Sequence, residues 1–154
     1  MKARFAVAVV ALATIGPMMG AYAFGAAGAD DGPDPLGPGV VTVELTTRYS
    51  AYSDVLDDLR VYEGTLVRFV LRNSDPIHHE LIVGGDDVHR AHEIGNEAFH
   101  PPVPGEVSVD PGDTGLTTYL FDEPGKVRFA CHLPRHVAYG MEGDITVVPT
   151  PERS

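Results

Sequence analysis

The stretch Cys131-His-Leu-Pro-Arg-His136-Val-Ala-Tyr-Gly-Met141-Glu-Gly-Asp-Ile-Thr-Val147 joins the end of one predicted strand to a returning strand. Its cysteine, histidine and methionine recur at intervals of five residues, so a thiolate, an imidazole and a thioether lie within one loop. Thiolate and thioether sulfur select copper(I), and imidazole also suits copper. The combined spacing predicts a metal-binding loop, although each residue alone also fits a buried apolar residue or a surface histidine.

The N-terminal segment has the features of a secretory signal peptide. Two basic residues precede an apolar run from Phe5 to Ile15, Gly16-Pro17 interrupts it, and Ala21-Tyr-Ala23 provides a small-x-small cleavage pattern. We expect cleavage after Ala23, which makes residues 1–23 a signal peptide. The alternative is an uncleaved membrane anchor, because apolar and small residues continue beyond the break and about 20 of them can span a bilayer.

The rest of the chain is predicted to be one tethered domain. Residues 24–39 are rich in glycine, alanine, aspartate and proline, so we expect a flexible tether. The folded domain spans 40–148, and a tail follows over 149–154. A signal peptide implies export to the periplasm, the extracellular space or the outer face of the cytoplasmic membrane. A lone cysteine in an exported domain cannot form an internal disulfide, so Cys131 is buried, paired with another molecule or bound to a metal.

The charge of the chain limits its partners. It has 22 acidic residues against 11 lysines and arginines, a formal net charge of −11. Nucleic acid is disfavoured, because contacts to phosphate need basic side chains. The charge fits either simple solubility or a basic protein partner. We expect no membrane insertion after leader cleavage, and we favour a monomer.

Short strands are predicted along residues 40–148. In one of them Val67, Phe69 and Leu71 face one way while arginines face the other, and Val41 to Leu45 alternate similarly. Helical turns are predicted only at 54–59 and 88–93. Many short strands without a long helix predict an all-β fold, an antiparallel β-sandwich. Its other strands are predicted at His79–Val83, Glu106–Asp110, Leu116–Phe121, Lys126–Cys131 and Asp144–Val148.

An upstream histidine completes a recognisable pattern. His79 begins a strand and shares its inward face with Leu81 and Val83. Together with Pro124-Gly125-Lys-Val-Arg-Phe-Ala-Cys131 and the Cys-x4-His-x4-Met spacing, it resembles the cupredoxin family, the single-domain type 1 (blue) copper proteins such as the azurin-like, rusticyanin-like and plastocyanin-like members. The resemblance covers roughly residues 40–148 and implies a Greek-key antiparallel β-sandwich.

The resemblance also implies a copper site and a function. It assigns His79 and His136 as imidazole ligands, Cys131 as the thiolate and Met141 as a weak axial thioether of one type 1 copper ion. The family's usual work is one-electron transfer, which predicts an exported electron carrier with a redox protein as partner, and not an enzyme. Two alternatives stay open: a protein for copper delivery or storage outside the cytoplasm, and an electron-transfer domain that serves a larger oxidase.

Residues beside the predicted ligands depart from the family pattern. Glu80 follows His79 where electron carriers of the family commonly have Asn or Ser, which ties the two ligand segments together. A buried carboxylate needs a partner, and Arg135 is the nearest plausible one by sequence. His78 competes with His79 as a ligand, but it points to the opposite face of the strand. His132 follows Cys131 and is expected to point away from the copper.

A second histidine group lies near the predicted turn at 88–93. His89 and His92 are three residues apart and can share a helical face, with Glu93 and His100 close in sequence. Such a group can bind zinc or a second copper ion, which would favour copper handling. The alternative, favoured by the sequence alone, is exposed loop histidines without a ligand role.

Overall fold

The computed structural model describes residues 32–95 and 101–152. The predicted signal peptide over 1–23, the first part of the predicted tether and His100 therefore lie outside the described residues. Within the described ranges, no helix is both long enough and apolar enough to cross a membrane.

Every strand predicted from the alternation of apolar residues is present. The turn predicted at 88–93 is a nine-residue helix, and single turns of 3-10 helix occur at Asp54–Leu56 and Val137–Tyr139. The named elements are β1 (Val40–Thr47), β2 (Arg60–Tyr62), β3 (Thr65–Asn73), β4 (His79–Gly84), α1 (Asp86–Ile94), β5 (Glu106–Val109), β6 (Thr114–Phe121), β7 (Gly125–Ala130) and β8 (Glu142–Val148).

The strands form two sheets with the orders β1-β3-β6 and β2-β8-β7-β4-β5. This confirms the predicted β-sandwich, in which four of the six described strand pairs are antiparallel. The pairs β1–β3 and β2–β8 are parallel. The first is parallel because the chain leaves β1, contributes β2 to the other sheet and then returns to form β3 beside β1.

The hydrophobic core is made of residues from both sheets. Val67, Phe69 and Leu71 are fully buried in β3, and the ring of Phe69 meets that of Phe121 edge to face at 6.5 Å between centroids. Every residue of β4 is buried, because β5 and β7 flank this strand and α1 packs beside it. Consequently the polar side chains at the start of β4 lie in the interior.

The described part of the predicted tether contacts the domain. The Leu36 amide donates a hydrogen bond to the Arg60 carbonyl, and the Tyr62 amide donates one to the Leu36 carbonyl, each 2.9 Å long. Leu36 therefore adds a short parallel bridge beside β2, before the predicted start of the folded domain at Val40.

Gly105 permits a close approach of two backbone segments. Its φ is +88°, and a Cβ there would lie 2.4 Å from the Val83 carbonyl oxygen. Gly105→Ala should lower the free energy of unfolding by about 2–4 kcal/mol, as a left-handed backbone costs roughly 1–2 kcal/mol and overpacking about 1–3 kcal/mol. Gly112→Ala is the control, because φ is +82° and no atom lies within 4 Å of the added Cβ. Urea unfolding measures both variants, and an equal loss of unfolding free energy in the two would contradict the close approach.

Candidate metal centre

Three potential metal donors meet where β4 begins and β7 ends. The ligand atoms of His79, Cys131 and His136 all lie within 4.8 Å of one another, and all three residues are buried. The antiparallel pairing of β4 with β7 sets Ile82 opposite Ala130, so the first residue of β4 lies beside the chain that leaves β7. The sheet therefore brings together donors that are 52 or more positions apart in the sequence.

Backbone hydrogen bonds hold the loop between β7 and β8. The Cys131 amide donates to the Met141 carbonyl at 2.9 Å, and the Met141 amide donates to the His136 carbonyl at 3.0 Å. The Cys131 Sγ lies 3.1 Å from the His136 Nδ1, and Met141 is fully buried. The loop closes on itself, which draws together the three residues that the sequence spacing singled out.

The imidazole of His79 has the environment of a metal ligand. Its Nε2 lies 2.8 Å from the Asp75 Oδ2, whereas its buried Nδ1 has no hydrogen-bond partner among the described residues. Because the carboxylate accepts the Nε2 proton, the Nδ1 carries a lone pair. A buried polar atom without a partner is costly, and metal-bound histidines usually donate their other N–H to such an acceptor. His79 therefore fits a metal ion at Nδ1.

A turn in the loop after β1 fixes Asp75. Its carboxylate accepts hydrogen bonds from the amides of Tyr49 at 2.7 Å and Ser50 at 2.9 Å, both of which have positive φ. Burial by itself would raise the pKa of Asp75, but the bonds from Ser50, Tyr49 and His79 outweigh it and lower the pKa. The carboxylate thus stays ionised and keeps the His79 ring in one orientation.

Burial also sets the protonation of the other two donors. It raises the pKa of the Cys131 thiol to about 12, and the charge of Glu80 adds to this effect while amide hydrogen bonds from Glu80 and Leu133 oppose it. Burial lowers the pKa of His136. The centre therefore contains a thiol that must lose its proton to a metal, next to an imidazole that is neutral and able to bind one.

Comparison with known proteins gives relatives that include copper proteins by name. No family model matches the chain. It is 34% identical over 93 residues to the copper-resistant cuproprotein CopI of Rubrivivax gelatinosus, which covers 58% of this chain and 56% of that protein. It is 30% identical over 123 residues to auracyanin-B of Chloroflexus aurantiacus, which covers 70% and 52%. The chain thus spans about half the length of these two relatives.

Solved structures agree with these relatives. Auracyanin B has a TM-score of 0.54 at 26% identity and covers 77% of this chain and 96% of that chain. Reduced auracyanin of Roseiflexus castenholzii has a TM-score of 0.58 at 24% identity and covers 70% and 97%. The chain has the cupredoxin fold. The predicted cupredoxin-like β-sandwich is thereby confirmed.

Glu80 links the two ligand-bearing segments of this cupredoxin. It is 2% exposed, and its Oε1 accepts a 2.6 Å hydrogen bond from the His132 amide. The expectation that Arg135 would be its partner is wrong, because Arg135 lies exposed in a left-handed backbone conformation. A carboxylate at this position makes the tie that the resemblance assigned to Asn or Ser. Sequence alone could not reveal it, because the donor is a backbone amide 52 residues away.

The neighbouring His78 lies outside the donor group. Its side chain is 50% exposed, and its Nδ1 lies 2.7 Å from the Asp110 Oδ1. His78 lies just before β4 and is exposed, whereas His79 is the first residue of β4 and is buried.

The second histidine group is buried in the cupredoxin, so the sequence-based preference for exposed loop histidines is wrong. His89 is 1% exposed in α1, and its Nδ1 lies 2.8 Å from the His132 Nε2. His132 points away from the donor group, as predicted, and toward α1. Sequence reasoning missed its place in this group because it lies 43 residues from His89. His100, which the prediction included, is outside the described residues.

Proposed function

We propose that this cupredoxin is an exported type 1 copper protein that carries single electrons between redox proteins and is not an enzyme. Its ligands would be His79, Cys131 and His136, with Met141 as a weak axial thioether. Bound copper would supply a one-electron couple. The observation that carries the proposal is the buried imidazole–thiol–imidazole group, in which the His79 Nδ1 lacks a hydrogen-bond partner among the described residues. Two imidazoles, a thiolate and a weak thioether are the donor set of blue-copper electron-transfer sites.

The supports of the donors favour electron transfer. Asp75 fixes the ring of His79, and backbone hydrogen bonds tie Cys131 and Met141 together across the loop. Ligands that are held by the protein change little when the charge of the metal changes, which favours rapid exchange of one electron. Such a site needs neither an open coordination position nor a general acid or base.

The surface beside His136 suits a transient protein partner. His136 is 7% exposed, Tyr139 in the same loop exposes 63% of its surface, and Ile77, two residues before His79, exposes 43%. An apolar surface of this kind allows a partner protein to approach closely and to dissociate quickly. The formal charge of −11 favours a basic redox partner. We propose that the chain acts as a monomer and meets this partner outside the cytoplasm.

Copper handling is the second candidate. The name of the CopI relatives, copper-resistant cuproprotein, supports it. A carrier must keep its copper in both oxidation states, whereas a delivery protein must release it. The two candidates therefore differ in how firmly the reduced protein holds the ion.

A copper titration followed by voltammetry tests the proposal. The full chain should bind one copper(II) with an intense thiolate-to-copper visible band, give a reversible one-electron wave, and retain copper against a moderate chelator after reduction. His79→Ala should abolish the band, whereas His78→Ala, one residue away but exposed, should leave it unchanged. Copper binding without that band would overturn the proposed site. Ready loss of copper on reduction would favour delivery.

Met141→Leu should leave copper bound and raise the reduction potential. Thioether donation stabilises copper(II) weakly, so its replacement by a side chain of similar size without a donor disfavours the oxidised form. Voltammetry of the loaded variant measures the shift, and the visible band shows whether the other ligands are intact. Complete loss of copper would contradict the axial assignment.

A further inference from the structure

A cluster of His89, His92 and His132 lies beside the copper centre and takes no part in it. The His89 Nδ1 is 2.8 Å from the His132 Nε2, and the His132 ring lies 5.9 Å from that of His92 in a stacked arrangement. The side chains of His92 and His132 are only 9% and 3% exposed. Two of these residues come from α1, and the third follows Cys131 directly. We call them the histidine cluster.

Hydrogen bonds set the orientation of the two helical imidazoles. The Nε2 of His89 lies 3.1 Å from the Arg128 carbonyl oxygen, which only accepts, so Nε2 carries the proton and Nδ1 turns its lone pair to His132. The Nε2 of His92 lies 2.9 Å from the Glu106 Oε2. Metal-binding histidines are typically held this way, with the second N–H given to a carbonyl or carboxylate. The same pattern occurs at His79, where Asp75 is the acceptor.

The charges around the cluster suit a cation. The Glu93 Oε1 lies 4.0 Å from the His132 Nδ1, and the Glu80 Oε2 lies 4.0 Å from the His92 Nδ1. Arg128 is the basic side chain here, and it bonds Glu93 at 3.1 Å and Glu142 at 2.7 Å. Together with Glu106, four carboxylates surround one guanidinium and the imidazoles. An added divalent ion would reduce this excess of negative charge.

We propose that His89 and His132 bind a second divalent transition-metal ion through Nδ1 and Nε2, respectively, and that Glu93 accepts a hydrogen bond from the Nδ1–H that His132 then carries. The ion would take the place of the proton that now lies between the two imidazoles. Zinc–nitrogen bonds are about 2.0–2.1 Å long, so two imidazole nitrogens on a tetrahedral ion are about 3.3 Å apart. The 2.8 Å pair therefore needs to open by only about half an ångström. Glu93 is 49% exposed, and its Oε1, now 4.0 Å from the His132 Nδ1, can move closer to accept that hydrogen bond, while water completes the coordination of the ion.

The donor set indicates which ions would bind. Imidazole suits zinc and copper(II), whereas the thiol of the first centre favours copper. The two sites would be joined by the peptide bond between Cys131 and His132. A second site would give this cupredoxin a capacity for metal beyond one copper ion, which would suit copper handling.

Zinc titration of the copper-loaded protein tests the proposal. The full chain is first saturated with one copper(II), shown by a constant visible band, and excess copper is removed. Isothermal titration with zinc should then show one further equivalent, while the visible band persists. Proton NMR of the reduced copper(I) protein, which is diamagnetic, should show changes at the imidazoles of His89 and His132 on addition of zinc. Absence of zinc binding to protein that has the band would overturn the second site alone, whereas absence of the band would count against the proposed copper function.

Variants separate this site from ordinary surface histidines. His132→Gln and His89→Gln should each weaken zinc binding at least tenfold, and Glu93→Gln should weaken it by a smaller factor. His78→Gln removes an exposed histidine and should change nothing. Glu93 is at the surface, so its variant tests the site even where a buried histidine variant fails to fold. Zinc affinity equal to wild type in both His132→Gln and Glu93→Gln, or lost in His78→Gln, would overturn the proposal.

Discussion

Cys131→Ser should abolish the intense visible band of the copper-loaded protein. The band requires a covalent bond from a thiolate to copper(II), and Cys131 is the single cysteine of the chain. Serine replaces a soft donor by a hydroxyl that stays protonated. Copper affinity should fall by more than the roughly 10–100-fold that loss of an outer hydrogen-bond partner typically costs. Visible absorption and competition with a copper chelator measure the two effects.

Asp75→Asn is the matched control for this change. Asp75 contacts His79 but is not among the proposed ligands. Its amide should keep the thiolate band while weakening copper binding by about 10–100-fold. Far-ultraviolet circular dichroism shows whether both variants retain the sheets. A persistent band in folded Cys131→Ser would mean that the copper binds elsewhere.

The fold was predictable where burial is local in sequence. Because core-facing and outward-facing residues alternate along β3, Val67, Phe69 and Leu71 face the core, and each is fully buried. The parallel pairing of β1 with β3 was not predictable in the same way, because it depends on which sheet receives the intervening β2. Helix α1 was expected only as a turn, since its apolar positions are few and its single buried residue is a histidine, His89.

The candidate site was predictable for a related reason. Cys131, His136 and Met141 lie in one loop, so their spacing alone brings them near each other, and strand parity selected His79 over His78. The partners of these residues are long-range: Glu80 accepts a hydrogen bond from the His132 amide, 52 positions on. A side chain can be assigned to a strand face from its neighbours, but a contact across strands depends on their register.

If the protein is the electron carrier that we propose, electrons would enter or leave through the surface beside His136. His136 is the most exposed of the three donors, and the half-buried Leu133 and Val137 flank it in the loop. Ile77 and Tyr139 add further exposed apolar surface. A partner that covers this surface must remove its water, which is favourable for apolar groups and costly for a charge.

Val137→Glu should slow electron self-exchange between oxidised and reduced copies of the protein by at least about tenfold. Burial of an unpaired carboxylate at the contact costs more than about 1.4 kcal/mol, which corresponds to a factor of ten. The visible band should be unchanged, since Val137 is not a ligand. Line broadening in NMR spectra of mixed oxidation states gives the exchange rate.

Leu120→Glu is the control for this change. It adds the same single negative charge to the protein, but on another surface. Leu120 is 49% exposed and pairs with Leu66 near the start of β3, whereas Asn73 at the end of β3 hydrogen-bonds to the Ile77 carbonyl beside the site. General repulsion between acidic molecules is therefore matched in the two variants, and added salt should reduce it in both. If the surface beside His136 has a specific role, electron self-exchange of Val137→Glu should stay slow at high salt, whereas the rate of Leu120→Glu should return to that of the wild type. Equal rates in the two variants would show that electrons do not pass through this surface.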